Sequence, residues 1–352
     1  MDEIAFFLEA VTDLYGKQPI ALHLIHRNFP PEKRLYRIDF ANKRSWILRA
    51  YHRSFVDNGI FRWFSHYPSL SEWLQTQANT LTYLAQHGYP VPHIVPTRTG
   101  KLIGLYQDWY ILTAIFVEGD ARDTSPEKMH ALGASLGYLH TMPLPETPSL
   151  TSSIGISWWE PHAAIPLSLD QLHSVADHIP AEWREAHAAF TRTFQYFQQH
   201  SQLARTIIHA DCWAENGIQT QEHEATLIDW ECAGLGIAIT DLGSLLLHCH
   251  FDQRDLLEHQ KWPEYQPDPR RIAAVVNGYR RWRQLPPDEL DALLDAIRFS
   301  IAWRGLWFFL NGVSHGWLEG LQQALRRQWR WYAITEEIAR LSRAYFEQIS
   351  IT

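Results

Sequence analysis

A chain of 352 residues, 46% hydrophobic and 20% charged, has a folding composition and the length for two ordinary domains, which excludes a disordered chain. Its net charge of −8 argues against a general nucleic-acid binder. Three cysteines, Cys212, Cys232 and Cys249, show no CxxC spacing, which excludes a disulfide framework and points to a reducing compartment.

The start, MDEIAFFLEAVTDLYG, is acidic and lacks a basic n-region, so no secretory signal is expected. The most apolar run, FSIAWRGLWFFLNGVSHGW, carries Arg304, so neither a membrane span nor a membrane partner is expected. These features predict a soluble, cytoplasmic protein. Charge is uneven along the chain. Residues 1–117 hold 12 Lys+Arg and 9 Asp+Glu, net +3, whereas residues 118–352 hold 19 and 30, net −11. Two solvated surfaces of different composition would give this split. So would a front half that tolerates polyanions and a back half that attracts cations.

The elements follow in chain order. Residues 2–15 show a helical stripe of Ile4, Phe7, Leu8, Val11 and Leu14. Three strand-like runs, 20–26, 34–40 and 45–52, are separated by a proline-containing turn and by Asn42–Lys43, which predicts an antiparallel meander. Residues 71–87 read as a helix capped by Ser69 or Ser71 and stopped by Gly88. WYILTAIFV, 109–117, reads as a buried strand, and 125–141 as a helix with a Ser-Pro start. The rest is mainly helical. A β-rich front and a helix-rich back predict an α+β fold with two lobes, 1–117 and 118–352.

Two short apolar runs in the helical half end in polar side chains: TIIHADCWAEN (206–216) and ATLIDWE (225–231). Polar groups at such positions need a partner or a task. Phosphoryl transfer to an alcohol needs a group that orients the hydroxyl and takes its proton, hard oxygen ligands for magnesium, and a cation on the phosphates. Asp211 at a loop tip suits the first role. Asn216, five residues on, and Asp229, at the end of a second strand, suit the metal.

These runs, followed by CAGLGIAITDLGSLL, resemble the aminoglycoside phosphotransferase and choline kinase superfamily, the phosphotransferase enzyme family related in fold to protein kinases. LAQHGYPVPHIVPTRTGKLIGL, WYILTAIFVEGD and LGASLGYLHTM are similar to further motifs of that family in the right order, so the resemblance covers roughly residues 19–250. It implies a protein-kinase-like bilobal fold: an antiparallel sheet with one helix, and a larger helical lobe for catalysis and substrate binding. It implies an ATP- and Mg2+-dependent small-molecule kinase, an enzyme that phosphorylates a hydroxyl of a small, amine-bearing, cationic acceptor (aminoglycoside-, choline- or thiamine-like). Asp211 is then the catalytic base, and Asn216 and Asp229 the magnesium ligands. His209 would brace the loop and Asp241 would anchor it from behind. The backbone at Ala114, Ile115 and Phe116 would meet adenine. Trp213 and Glu231 are candidates for the acceptor's amine.

The chain departs from the family pattern at Ala210, where glycine is usual, and at Arg49, the position of a phosphate-gripping lysine. Gln77 stands where a glutamate would pair with that cation, and can still hydrogen-bond it. The first hairpin, HRNFPPEKR, has no glycine to cradle phosphate. These changes motivate a second reading, a kinase-like nucleotide- or ligand-binding protein with weak or absent transfer. A third is a scaffold using 285–349 as an interaction surface. A soft-metal site of the cysteines with His209, His248 and His250 matches no zinc spacing, and GLGIAI (234–239) reads as a turn and not a dinucleotide fingerprint.

Overall fold

The structure is a computed structural model. It describes residues 2–26, 32–57, 69–121, 123–144, 161–221, 224–250 and 266–348. Most of the glycine-free hairpin lies outside the described residues. The chain divides into two compact units, the first holding Met1–Glu118 and the second holding Gly119–Leu144 with Ile156–Thr352.

The first unit opens with helix α1 (Glu3–Tyr15), whose start is capped by the Asp2 carboxylate accepting from the Ile4 N–H. Gly16, at φ +63°, ends it in the left-handed region that glycine adopts without strain. Strands β1 (Ala21–His26), β2 (Lys33–Asp39), β3 (Ser45–His52), β4 (Ile103–Tyr106) and β5 (Trp109–Ile115) form one antiparallel sheet in the order β1-β2-β3-β5-β4. Alternation sends Tyr36, Ile38, Trp46, Leu48 and Ala50 into a core with Phe7, Ala10, Val11 and Tyr15 of α1. Arg49, between Leu48 and Ala50, therefore points to the other face, with Leu112 of β5 as its register partner. Helix α2 (Leu70–Gln86) starts where the Ser69 hydroxyl accepts from the Glu72 N–H, and buries Trp73 and Leu74 against Tyr51 and Phe55.

The second unit is mainly helical. Helix α3 (Pro126–Leu139) begins with Ser125 as its cap and Pro126 at its first position, as the Ser-Pro start predicts. Lys128 is fully buried and donates to the carbonyls of Ala121 (2.8 Å) and Asp120 (3.2 Å). Helices α4 (Pro161–Val175) and α5 (Arg184–Gln199) follow. Two short antiparallel pairs come next: β6 (Arg205–Ile208) with β9 (Gly234–Ile237), and β7 (Gly217–Gln221) with β8 (Glu224–Leu227). Helices α6 (Ala238–His248), α7 (Pro269–Arg280), α8 (Pro287–His315), α9 (Glu319–Ala333) and α10 (Thr335–Glu347) complete it. Helices α3 and α7 approach backbone to backbone. A Cβ at Gly133 or Gly137 would overlap the carbonyls of Val275 or Tyr279, and one at Gly278 would overlap that of His130. The 29-residue α8 packs along α5 and α6 and buries Leu293, Ile297, Ile301 and Leu306. Most of its apolar residues are core, which takes them out of the surface the scaffold reading needs. Among the described residues no helix is long and apolar enough to cross a membrane.

Candidate active site

The loop after β6 is held by one buried carboxylate. Asp241, in the first turn of α6, accepts the backbone N–H of His209 at Oδ2 (2.6 Å) and that of Ala210 at Oδ1 (2.7 Å). Ala210 sits at φ +64°, the left-handed region, which explains why glycine suits this position. The His209 side chain runs inward. Its Nε2–H donates to the Ile228 carbonyl (2.8 Å), and its ring packs edge-on against Trp230. Trp230 in turn donates to the Leu227 carbonyl. The loop after β6 is thereby tied to the segment after β8.

That tie sets the polar groups. Asn216 Nδ2 donates to Asp211 at both its carboxylate Oδ2 (2.7 Å) and its backbone carbonyl (2.9 Å). The Asn216 carbonyl accepts the Ile228 N–H (2.8 Å), which fixes the residue preceding Asp229. Asp229 adopts φ +64°, a conformation aspartate tolerates better than most side chains. Burial pushes the Asp211 carboxyl above its ordinary value. The Arg304 cation opposes that push and the Asp229 charge adds to it, so both charged groups lie within electrostatic reach of Asp211.

Arg304, on α8, places Nη1 2.6 Å from His248 Nε2 and Nη2 4.0 Å from Asp211 Oδ1. A site role for Arg304 is not what the sequence suggests, where it only interrupts an apolar run. Its signal was present, because a charge inside such a run needs a partner. Behind the loop, His140 of the LGYLHTM motif contacts Asp241 Oδ2 through Nε2 (3.4 Å) and Tyr279 through Nδ1 (2.8 Å). Tyr279 also accepts from Arg283, which makes two 2.6 Å bonds to the fully buried Glu289.

The sequence candidates fall in both units. In the second lie His209, Asp211, Asn216, Asp229, Trp213 and Glu231. The Trp213 ring stands edge-on to His248, and its Nε1–H is buried without an acceptor. Glu231 lies in the single turn Trp230–Cys232 that follows Asp229. In the first unit, Arg49 is half-buried on β3 and Gln77 is buried on α2. The Gln77 amide nitrogen is buried without a hydrogen-bond partner, which leaves its carbonyl oxygen as the atom a guanidinium could use. The N–H of Ile115 donates to the His93 carbonyl (2.8 Å) and that of Phe116 to the Ser45 carbonyl (3.0 Å), while Ala114 pairs with Ile47 and Ile94.

The donor set fits a hard divalent cation. Asn216 uses its nitrogen for Asp211, leaving Oδ1 as an oxygen ligand, and the Asp229 carboxylate is electrostatically coupled to the same place. Among the described residues no group of three or more His, Cys, Asp and Glu is placed for a metal. Burial also pushes the Cys212 and Cys249 thiols up, away from the thiolate a soft metal needs.

Known structures share this fold. An amicoumacin kinase, hAmiN, in complex with AMP-PNP, Ca2+ and Ami, matches with a TM-score of 0.65 at 18% identity, over 99% of this chain and 97% of that one. A spectinomycin phosphotransferase, APH(9)-Ia, with ADP and its antibiotic matches at 0.61 and 13%, over 97% and 98%. A choline kinase, LicA, from Streptococcus pneumoniae matches at 0.55 and 12%, over 94% and 98%. The protein-kinase-like α+β fold read from the motifs is therefore the fold of the chain. The family model described as phosphotransferase enzyme family matches residues 32–297, most of the sequence and all of the loop geometry above, and the chain belongs to that family.

Proposed function

We propose that the chain transfers the γ-phosphate of ATP, with magnesium, to a hydroxyl of a small molecule. The observation that carries this reading is the bond from Asn216 to Asp211, in a loop clamped by Asp241 and coupled to Asp229. Asp211 orients the acceptor hydroxyl and takes its proton. The acceptor oxygen forms a bond to the γ-phosphorus, the bond to the β–γ bridging oxygen breaks, and ADP leaves. Asn216 Oδ1 and the Asp229 carboxylate would hold the magnesium ion, which would neutralise charge on the phosphates. Arg49 is the proposed phosphate cation. Adenine would use carbonyl oxygens near Ala114 to Phe116, since the N–H groups of Ile115 and Phe116 are already bonded.

The AMP-PNP and ADP in the related complexes support a nucleotide donor. Related folds include an aminopropanol kinase and a choline kinase. They support an amine-bearing acceptor, as does the net charge of −11 over residues 118–352. Trp213 and Glu231 are its proposed contacts. The test is thermal stability with AMP-PNP, magnesium, or both, on the wild type and Asp229→Asn. A rise that needs both ligands and is lost in the variant supports the reading. A shift that is unchanged in the variant overturns the metal assignment.

The unpartnered Gln77 amide favours a second reading, a kinase-like binding protein with weak transfer. It requires nucleotide binding without ATP consumption in the presence of any acceptor, which a coupled ADP-release assay measures.

A further inference from the structure

Two groups meet at His248 of α6: Arg304 from α8, whose Nη2 lies 4.0 Å from Asp211 Oδ1, and the ring of Trp213, two residues after Asp211 in the loop. Their hydrogen bonding fixes the charge state. His248 Nδ1 donates to the Ser244 carbonyl at 2.7 Å, so its Nε2 is a bare acceptor and takes the Arg304 N–H at 2.6 Å. The ring is neutral. It aims the guanidinium and leaves its charge intact. The carboxylate near Arg304 is Asp211, whose Oδ1 lies 4.0 Å from Nη2, longer than the roughly 2.7–2.9 Å of a charge-assisted bond. The other Asp211 oxygen already accepts from Asn216. Among the described residues the remaining Arg304 donors meet no hydrogen-bond acceptor, and the side chain as a whole is 31% exposed. The ring of Trp213 stands edge-on to the same histidine, and its indole N–H is buried without an acceptor. A half-buried cation and an orphan N–H donor, both contacting one neutral histidine, are a place for an anionic oxygen group.

We propose that Arg304 recognises an acidic group on the phosphate acceptor, one or two carbons from the hydroxyl that Asp211 orients. The proposal rests on the phosphotransferase reading above. A hydroxyl within about 3 Å of Asp211 puts a neighbouring carboxylate within reach of the guanidinium fork, which suits two parallel N–H···O bonds. An ammonium at that place is repelled by Arg304. The acceptor class that satisfies both readings is thus a short hydroxy amino acid, its carboxylate on the Arg304 fork and its ammonium on the side away from it. A simple amino alcohol leaves the fork unpaired. The transferring phosphoryl group is the other source of anionic oxygen at this spot, and the experiment separates the two.

The experiment uses the full chain with magnesium and ATP. ADP release and phosphate-ester formation are measured with hydroxy acids (glycerate, 3-hydroxybutyrate, serine) and with amino alcohols (ethanolamine, choline, 1-amino-2-propanol). The expected result is a kcat/KM at least tenfold higher for a hydroxy acid than for any amino alcohol. Arg304→Gln raises the KM for that acid at least tenfold with a smaller change in KM for ATP, and Arg304→Lys restores part of the loss. Arg304→Glu turns the preference towards amino alcohols, a reversal that a merely structural arginine would not give. Magnesium-dependent ATP binding with no transfer to any hydroxy acid, or a preference unchanged in Arg304→Glu, overturns the proposal. So does a KM for ATP that rises as much as that for the acid, which would give Arg304 to the phosphoryl group. No magnesium-dependent ATP binding by the wild type overturns the phosphotransferase reading, and this one with it.

Discussion

Tyr279 donates its hydroxyl proton to His140 Nδ1 across 2.8 Å, because the neutral ring keeps its one proton on Nε2, towards the Asp241 carboxylate, while the Tyr279 oxygen accepts from Arg283 Nη1 at 3.0 Å. Asp241 in turn holds the two loop N–H groups. A hydrogen-bonded chain thus runs from buried Glu289 to the catalytic loop. Tyr279→Phe should leave His140 Nδ1 without a donor and cost about 1–3 kcal/mol in urea unfolding. An unchanged urea midpoint would show that the chain contributes nothing.

Gly137 lies against the Tyr279 carbonyl, a backbone atom that cannot swing away. Gly137→Ala should push α7 off α3 and cost more than about 3 kcal/mol, or abolish folding. Gly320 is the control. It lies near the start of α9 with open space around the position of a Cβ, and Gly320→Ala should raise stability by about 0.5–1 kcal/mol. Equal effects at the two sites would contradict the close helix contact.

Ala210 occupies a left-handed conformation while its N–H is fixed by Asp241. Ala210→Gly removes strain of about 1–2 kcal/mol, partly offset by the greater freedom of glycine in the unfolded chain. The expected outcome is a slightly higher melting temperature with turnover retained. A lower one would mean that the alanine methyl packs more favourably than its backbone is strained.

Three buried histidines each use a ring nitrogen as an acceptor: His140 from Tyr279, His248 from Arg304 and His250 from the Asp268 N–H. Burial holds all three below the ordinary histidine value, His250 at about 4. Below about pH 6.5 the unfolded chain therefore binds protons that the folded one refuses. Stability should be complete above that pH and fall as the pH drops towards 4. The initial slope should approach about 1.4 kcal/mol per pH unit for each histidine. Urea midpoints at pH 7.5, 6 and 5 measure this, and a flat profile would refute neutral burial.

Asp211→Ala should lower kcat by orders of magnitude and leave AMP-PNP binding nearly intact, since the side chain is assigned to the acceptor and not to the nucleotide. Turnover within tenfold of the wild type would remove Asp211 from the reaction.

The sheet was legible because period-2 burial and turn residues agree along β2 and β3. The loop was legible because its three polar side chains interrupt apolar runs at a spacing that chemistry explains. What stayed hidden depends on long-range contact. Nothing local says that Gly137 faces a carbonyl of residue 279, or that Arg304 meets a histidine 56 positions upstream. The glycines of LGASLGYLHTM look like weak helix residues until α7 is laid against them. Gln77 was hidden in another way, since helix counting puts it on α2 but cannot show that its amide nitrogen is buried without a partner.

Helix α8 holds Glu289 near its start and Arg304 fifteen positions later, about 22 Å along the same rod. The first supports the loop from behind and the second faces Asp211 in front. On the proposed reading, reaction machinery and acceptor choice are written in separate stretches of sequence that one rigid element keeps in register. Descendants of this chain can revise the face of α8 around Arg304 and take up new acceptors while the Asp-to-Asn loop stays as it is.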